Sequence, residues 1–151
     1  MHTNSEQTRI LVKKAEPEIW KTVIEIEHQL SQTTLDKKLR ELIKIRVSQI
    51  NKCAYCIDLH TKDALKYGET PRRIFALSAW SESPLFTKNE KSALKLAEEI
   101  THISNAGVSD ECYSNLTEHF NKNEIAQLIL SINHMNFLNR IAISTKMKHN
   151  E

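Results

Sequence analysis

The chain has 151 residues and a formal net charge of +2, with 40% hydrophobic and 26% charged residues. These proportions are ordinary for a globular domain, whereas two glycines and three prolines supply too few turns for an all-β fold. Lysine and arginine are dispersed and no run of about 18 apolar residues occurs, so we expect neither nucleic-acid binding nor a membrane span.

Helical periodicity begins early in the chain and continues almost without interruption. The first predicted helix begins at Pro17, and the second follows Thr34 and ends near Asn51. A third helix carries a pair of cysteines and is expected to end at Gly68, because glycine is favoured just beyond a helix C-terminus.

The second half of the chain is predicted to be helical as well. A fourth helix begins near Pro71, and residues 81–87 follow it as a loop. A fifth spans roughly residues 88–103, a sixth begins at Ser109, and a long last helix begins near Asn123. The connections are short, so the pattern predicts an all-α bundle of about seven helices.

The chain contains no internal repeat, low-complexity tract or linker that would divide it. We therefore predict a single domain over residues 1–151, with its core between about 20 and 145.

The cysteine count indicates the redox compartment. Three cysteines are an odd number, which fits poorly with the disulfide framework of a secreted protein. The first six residues are polar and lack the apolar stretch of a signal peptide. We therefore expect a cytoplasmic protein, in which a Cys-x-x-Cys pair is catalytic or metal-binding.

The motif that carries chemistry is Cys53-Ala-Tyr-Cys56 followed by His60. Cys53 is predicted at a helix N-terminus, where unpaired N–H groups and the helix dipole stabilise a thiolate. The two cysteines and His60 share one helical face. Because His60 lies one turn from Cys56 and two turns from Cys53, it is expected to deprotonate Cys56.

Glu41 is the candidate third member of this group. If the second and third helices form an antiparallel hairpin, Glu41 lies about 15 Å back along the second helix, at 1.5 Å per residue. That position is beside the part of the third helix just past His60. A carboxylate there would orient the imidazole and stabilise its charged form.

Other site assignments have weaker support in the sequence. Cys53, Cys56 and His60 are also zinc-ligand types, but three ligands along one stretch of helix do not close a tetrahedral site, so we predict no metal. Tyr55 and His134 are candidate pocket residues, while Cys112 is expected to be an inert, partly buried thiol.

The run from Glu41 to Ala64 resembles the alkylhydroperoxidase D-like branch of the carboxymuconolactone decarboxylase family. That pattern is a Glu, a Cys-x-x-Cys twelve residues later, and a His four residues after the second Cys. All four positions match at their spacing. The likeness continues in residues 80–86 and 136–140 and at Asn133, so it covers most of the chain from about Trp20 onward.

The resemblance implies an all-helical protein that assembles into homo-oligomers, commonly trimers or hexamers. It also implies that Cys56 attacks a peroxide and becomes a sulfenic acid, and that Cys53 then condenses with it to form a disulfide. Glu41 and His60 would form the proton relay. No cofactor is expected, and an external dithiol, from a small molecule or a protein, would reduce the disulfide.

One position departs from the family pattern. Well-characterised peroxidase members can carry a histidine between the cysteines, where this chain has Tyr55, which is not a base near neutral pH. Two alternatives therefore stay open beside a peroxidase. One is a dithiol–disulfide reductase that hands electrons to a partner such as a peroxiredoxin, and the other is a non-redox helical oligomer that binds a ligand or a metal.

Overall fold

The structure is a computed structural model that describes residues 8–149. Every regular element in this range is helical, so the predicted all-α class is confirmed. The polar N-terminal segment, on which the absence of a signal peptide was inferred, lies outside the described residues. No helix in the described range is long and apolar enough to cross a bilayer.

Nine α-helices lie within the described range, and a short 3₁₀ turn over Leu77–Ala79 extends the fifth. In chain order they are α1 Val12–Ala15, α2 Pro17–Ser31, α3 Lys37–Ile50, α4 Ala54–Lys66, α5 Pro71–Ala76, α6 Lys88–Thr101, α7 Ile103–Ala106, α8 Asp110–His119 and α9 Lys122–Ser144.

Seven of these helices, α2 to α6, α8 and α9, are the predicted ones. The short helices α1 and α7 were not predicted, because four residues are too few to display a helical period. The predicted fifth helix was also too long. It ends at Thr101, and the chain bends at His102 before α7 begins.

Local side-chain chemistry fixes where several helices begin. Asp36 caps α3 by accepting a hydrogen bond from the Leu39 N–H at 2.9 Å. Both α6 and α9 begin with reciprocal capping boxes, in which a cap residue and a glutamate bond to each other's backbone. These caps satisfy N–H groups that would otherwise have no partner.

The turn between α3 and α4 positions the cysteine pair. Lys52 adopts a left-handed conformation with φ 58°. Its N–H bonds to the Gln49 carbonyl, and the Cys53 N–H bonds to the Ser48 carbonyl at 2.9 Å. Gly68, with φ 84°, ends α4 by the same pattern, as predicted. Cys53 therefore enters α4 directly from the end of α3.

Helix α3 lies at the centre of the bundle and packs against α4, α6 and α9. Its apolar side chains Leu42, Ile43, Ile45 and Val47 are fully buried. Three charged residues on the same helix, Arg40, Glu41 and Lys44, are buried too. Buried charges are stable only when they are paired and hydrogen-bonded, so these three side chains need polar or charged partners inside the bundle.

Candidate redox-active site

The two cysteines lie at the start of α4. Cys53 is the N-cap residue, and its Sγ accepts a hydrogen bond from the Cys56 N–H at 3.4 Å. The structure records a disulfide between them, with Cα atoms 5.3 Å apart. Cys53 is only 2% exposed and Cys56 only 3%. The backbone N–H that meets Cys53 Sγ would stabilise a thiolate once the disulfide is reduced.

Glu41 and His60 meet as the predicted hairpin requires. His60 Nδ1 lies 2.9 Å from Glu41 Oε2, and both side chains are buried. Burial by itself would raise the pKa of Glu41, but the hydrogen bond to His60 and the charge of Lys44 outweigh it and lower that pKa. A carboxylate that stays ionised can orient His60 and stabilise an imidazolium.

Two further charged residues extend this pair, and neither was identified from the sequence. Lys44 Nζ lies 3.5 Å from Glu41 Oε1 and 2.5 Å from Glu27 Oε1. Lys44 could have been suspected, because it follows Glu41 by three residues and so lies on the same face of α3. Glu27 had no such signal, since its position depends on how α2 packs.

His134 lies at the far end of this row of charges. Its Nε2 is 3.4 Å from Glu27 Oε2, and the ring stacks on Phe137 with centroids 6.3 Å apart. Burial lowers the pKa of His134, with Glu27 opposing the shift and Lys44 adding to it. We call the row of His60, Glu41, Lys44, Glu27 and His134 the charged row.

A cavity of about 380 Å³ lies on the side of the cysteine pair where α9 ends. Cys53 and Tyr55 form one wall, and residues 146–149 form much of the other. The Tyr55 and His149 rings are tilted against each other, with centroids 6.4 Å apart. Cys56 and His134 are not among the lining residues. Of the two candidate pocket residues, Tyr55 therefore lies at the cavity and His134 belongs to the charged row.

A second buried network, which is uncharged apart from Arg140 at its edge, holds the turn before Cys53. The Asn51 amide donates to Asn136 Oδ1 at 2.9 Å and to Asn139 Oδ1 at 3.0 Å. Asn139 in turn donates to Ser48 Oγ at 3.0 Å. We call Asn51, Ser48, Asn136 and Asn139 the amide network. It ties the C-terminal end of α3 to α9 and so fixes where Cys53 starts α4.

One group of three side chains has the ligand types and spacing that could hold a metal ion. Glu41, His60 and Asp63 each bring a ligand-type atom within 4.8 Å of the others. However, Lys44 already places a positive charge at Glu41, and Asp63 is ion-paired with Lys66 at 3.2 Å. A dication would have to compete with both ammonium groups. Neither cysteine belongs to this set.

Cys112, the third cysteine, lies on α8 and is buried. Burial, and then the negative charge of Glu99, raises the pKa of its thiol to about 11. The thiol is therefore protonated at neutral pH and is a poor nucleophile.

The sequence of this chain matches a known protein family and a bacterial relative. A sequence model of the carboxymuconolactone decarboxylase family matches residues 17–99, which include both cysteines, Glu41 and His60. An uncharacterized protein of Bacillus subtilis (strain 168), YdfG, is 44% identical over 136 residues, covering 90% of this chain and 92% of that protein.

Solved structures share the fold. The crystal structure of ATU0492 from Agrobacterium tumefaciens, a protein of unknown function suggested to be the antioxidant defence protein AhpD, aligns with a TM-score of 0.92 and 34% identity, covering 96% of this chain and 99% of that one. The debrominase Bmp8 aligns with a TM-score of 0.78 at 16% identity, covering 91% of this chain and 73% of that one. Because a debrominase shares it, the fold alone does not specify a reaction.

Proposed function

Because the chain belongs to the carboxymuconolactone decarboxylase family and is alkylhydroperoxidase D-like, we propose that it is a thiol-dependent peroxidase that reduces alkyl hydroperoxides in antioxidant defence. The observation that carries the proposal is the buried hydrogen bond, 2.9 Å long, between Glu41 on α3 and His60 on α4. The two cysteines lie at the N-terminal end of that same helix α4. An acid–base pair next to two redox-active thiols is what a peroxidase needs.

In the first step Cys56 is the nucleophile. His60, held by Glu41, accepts the Cys56 proton, and the resulting thiolate attacks the terminal peroxide oxygen. The O–O bond breaks, and the leaving alkoxide takes the proton from His60 and departs as an alcohol. Cys56 is left as a sulfenic acid. Burial of Glu41 strengthens its electrostatic hold on the imidazolium that forms between these proton transfers.

In the second step Cys53 resolves the sulfenic acid. The Cys53 sulfur attacks Cys56 Sγ, the S–O bond breaks, and the hydroxyl leaves as water after it takes up the Cys53 proton. The product is the Cys53–Cys56 disulfide that the structure records. The sum is one peroxide and two thiols converted to one alcohol, one water and one disulfide. An external dithiol must then reduce the disulfide.

The test is stopped-flow consumption of an alkyl hydroperoxide, such as cumene hydroperoxide, by the reduced protein. We expect fast consumption of one equivalent by the wild type and by Cys112→Ser, because the Cys112 thiol is protonated and buried. Cys56→Ser should react only at the rate of an ordinary thiol. Equal, slow consumption by wild type and Cys56→Ser would refute the peroxidase.

A second candidate function is favoured by one observation, the cavity beside Cys53. A dithiol–disulfide reductase needs one sulfur that another thiol can reach. Cys53 is only 2% exposed but lines the cavity, so a partner thiol would approach it through that cavity. In this case electrons would pass from the reduced pair to a partner such as a peroxiredoxin. A mixed disulfide between the Cys53→Ser or Cys56→Ser protein and a partner would favour it, and fast turnover of peroxide without a partner would count against it.

Assembly and location complete the proposal. We expect a homo-oligomer, with a trimer or hexamer as the family resemblance implies. Phe75, Ile19 and Leu130 are large apolar side chains more than half exposed, and burying them between subunits would be favourable. A cytoplasmic location, an external dithiol donor and a reaction without a cofactor are parts of the same proposal.

A further inference from the structure

The charged row places a cation directly behind the carboxylate that holds His60. Lys44 Nζ lies 3.5 Å from Glu41 Oε1, while the other oxygen of that carboxylate faces His60 Nδ1 at 2.9 Å. All three side chains are less than a tenth exposed, so water screens their charges little. An ammonium group in this position attracts the carboxylate and repels an imidazolium. By itself, Lys44 would therefore weaken His60 as a base.

Glu27, on α2, lies on the other side of Lys44. Its Oε1 is 2.5 Å from Lys44 Nζ, which is closer than the 3.5 Å between Lys44 Nζ and Glu41 Oε1. The shorter contact is a charge-assisted hydrogen bond, in which the ammonium donates to the carboxylate. Lys44 is therefore bound chiefly to Glu27.

The charge balance of the row depends on Glu27. With both carboxylates ionised, Glu27, Lys44 and Glu41 together carry a net negative charge, which a protonated His60 neutralises. Without Glu27, the charges of Lys44 and Glu41 already cancel. A protonated His60 would then leave the buried group with a net positive charge, which a poorly solvated site disfavours. Glu27 thus affects how readily His60 holds a proton.

We propose that Glu27 is a positioning residue for the dithiol site, because it holds the Lys44 ammonium away from Glu41. The Glu41 carboxylate then stays available to the imidazolium of His60. The inference rests on the proposed role of His60 as the base for Cys56, and it extends the control of that base to α2. Lys44 has a role of its own. Against burial, which would raise it, the hydrogen bond to His60 and the charge of Lys44 lower the pKa of Glu41.

Two further charged side chains next to this group have other partners. Asp63, on α4, brings a carboxylate oxygen within 4.8 Å of the His60 ring nitrogen, and it pairs with Lys66 at 3.2 Å. Arg40, which precedes Glu41 in the chain, donates to two carbonyl oxygens at the end of α2. These contacts leave Glu27 as the carboxylate that binds Lys44 most closely.

His134 faces Glu27 from α9. Its Nε2 lies 3.4 Å from Glu27 Oε2. Burial lowers the pKa of His134, although the charge of Glu27 opposes the shift. His134 is therefore neutral at neutral pH and does not draw the charge of Glu27 away from Lys44.

The experiment measures alkylation of Cys56 by iodoacetamide, without peroxide, in the full-length protein with Cys53→Ser. Serine is itself a favoured N-cap residue, so this background keeps the start of α4. The quantity compared is the ratio of the alkylation rate at pH 7 to that at pH 10, with the alkylated residue identified by mass spectrometry. At pH 7 the Cys56 thiolate depends on His60, whereas at pH 10 the thiol ionises without a base. A change in access to the sulfur therefore cancels in the ratio.

We expect Glu27→Gln to lower this ratio by about three- to tenfold, as the loss of one partly screened charge near a buried pair would give. The Glu27 side chain is 33% exposed, so we expect the variant to fold. Glu27→Asp keeps the charge and should retain most of the ratio. The matched control is Glu25→Gln, which removes the same charge from an exposed position on α2 and should leave the ratio unchanged.

A double variant tests whether Lys44 transmits the effect. In a Lys44→Gln background, adding Glu27→Gln should change the ratio by less than about twofold, because no ammonium remains for Glu27 to hold. The proposal is overturned if Glu27→Gln leaves the ratio unchanged, or lowers it equally with and without Lys44. An equal fall in Glu25→Gln would also overturn it.

Failure of this proposal is distinguishable from failure of the peroxidase, because no peroxide takes part in the alkylation. The ratio can depend on Glu27 in a protein that reduces no peroxide. Conversely, a fast peroxidase can show no dependence of the ratio on Glu27.

Discussion

Two buried polar networks pack against α3, and they differ in kind. The charged row joins α2, α3, α4 and α9 through carboxylates, an ammonium and two imidazoles. The amide network joins the end of α3 to α9 chiefly through side-chain amides and a serine hydroxyl. Charges that change protonation suit chemistry, whereas neutral groups that are fully paired suit rigidity. We therefore expect the first network to serve the proposed catalysis and the second to hold the turn before Cys53 in place.

The largest effect should come from the charged row. In Glu41→Gln the imidazole of His60 loses its carboxylate, so its protonated form is no longer stabilised by a negative charge. We expect the rate of peroxide reduction to fall by about 10²- to 10⁴-fold, the usual contribution of acid–base catalysis. Stopped-flow kinetics would measure it, with the exposed Glu25→Gln as the matched control. A loss below threefold would remove Glu41 from the mechanism.

A substitution in the amide network should lower the stability of the protein more than it lowers the rate of peroxide reduction. Asn139 is fully buried, and Asn139→Ala removes one hydrogen-bond partner of Asn51 and one of Ser48. We expect the free energy of unfolding to fall by about 2–4 kcal/mol, because buried polar groups lose their bonds. Urea denaturation would measure the loss. The folded variant should keep its peroxide rate within tenfold, and a catalytic loss as large as that of Glu41→Gln would abolish the distinction between the networks.

The smallest effect concerns pH and the outer end of the charged row. Burial lowers the pKa of His134 from its ordinary value of 6.5, so the folded protein binds that proton less readily than the unfolded chain. The free energy of unfolding should therefore decrease as pH falls below 6.5, by at most about 1.4 kcal/mol per pH unit.

Urea denaturation between pH 7 and pH 5 tests this slope. His134→Gln should flatten it, while the exposed His28→Gln should leave it as in the wild type. If both variants keep the wild-type slope, His134 is not the group that titrates.

The sequence was a good guide wherever the signal was local. Helical periodicity located seven helices, and the hairpin expected between α3 and α4 predicted that Glu41 lies beside His60. It failed where tertiary packing decides. Lys44 looks like a solvated helix lysine, and it is buried because α2 brings Glu27 over it.

The cavity could not be predicted for the same reason. Its walls come from the start of α4 and from residues 146–149, which lie some 90 positions apart in the chain. The left-handed turn at Lys146 directs the last described residues back toward Tyr55. Glycine is the usual residue in such a turn, so a lysine at this position does not indicate a left-handed turn in the sequence.

In the proposed mechanism, His60 and Glu41 activate Cys56 as the sulfur that attacks peroxide. The most direct measurement follows sulfenic acid formation by mass spectrometry in Cys53→Ser and in Cys56→Ser after one equivalent of cumene hydroperoxide. We expect rapid formation at Cys56 in the first variant, slowed strongly by adding Glu41→Gln, and little at Cys53 in the second. Rapid oxidation of Cys53 with an inert Cys56 would contradict it.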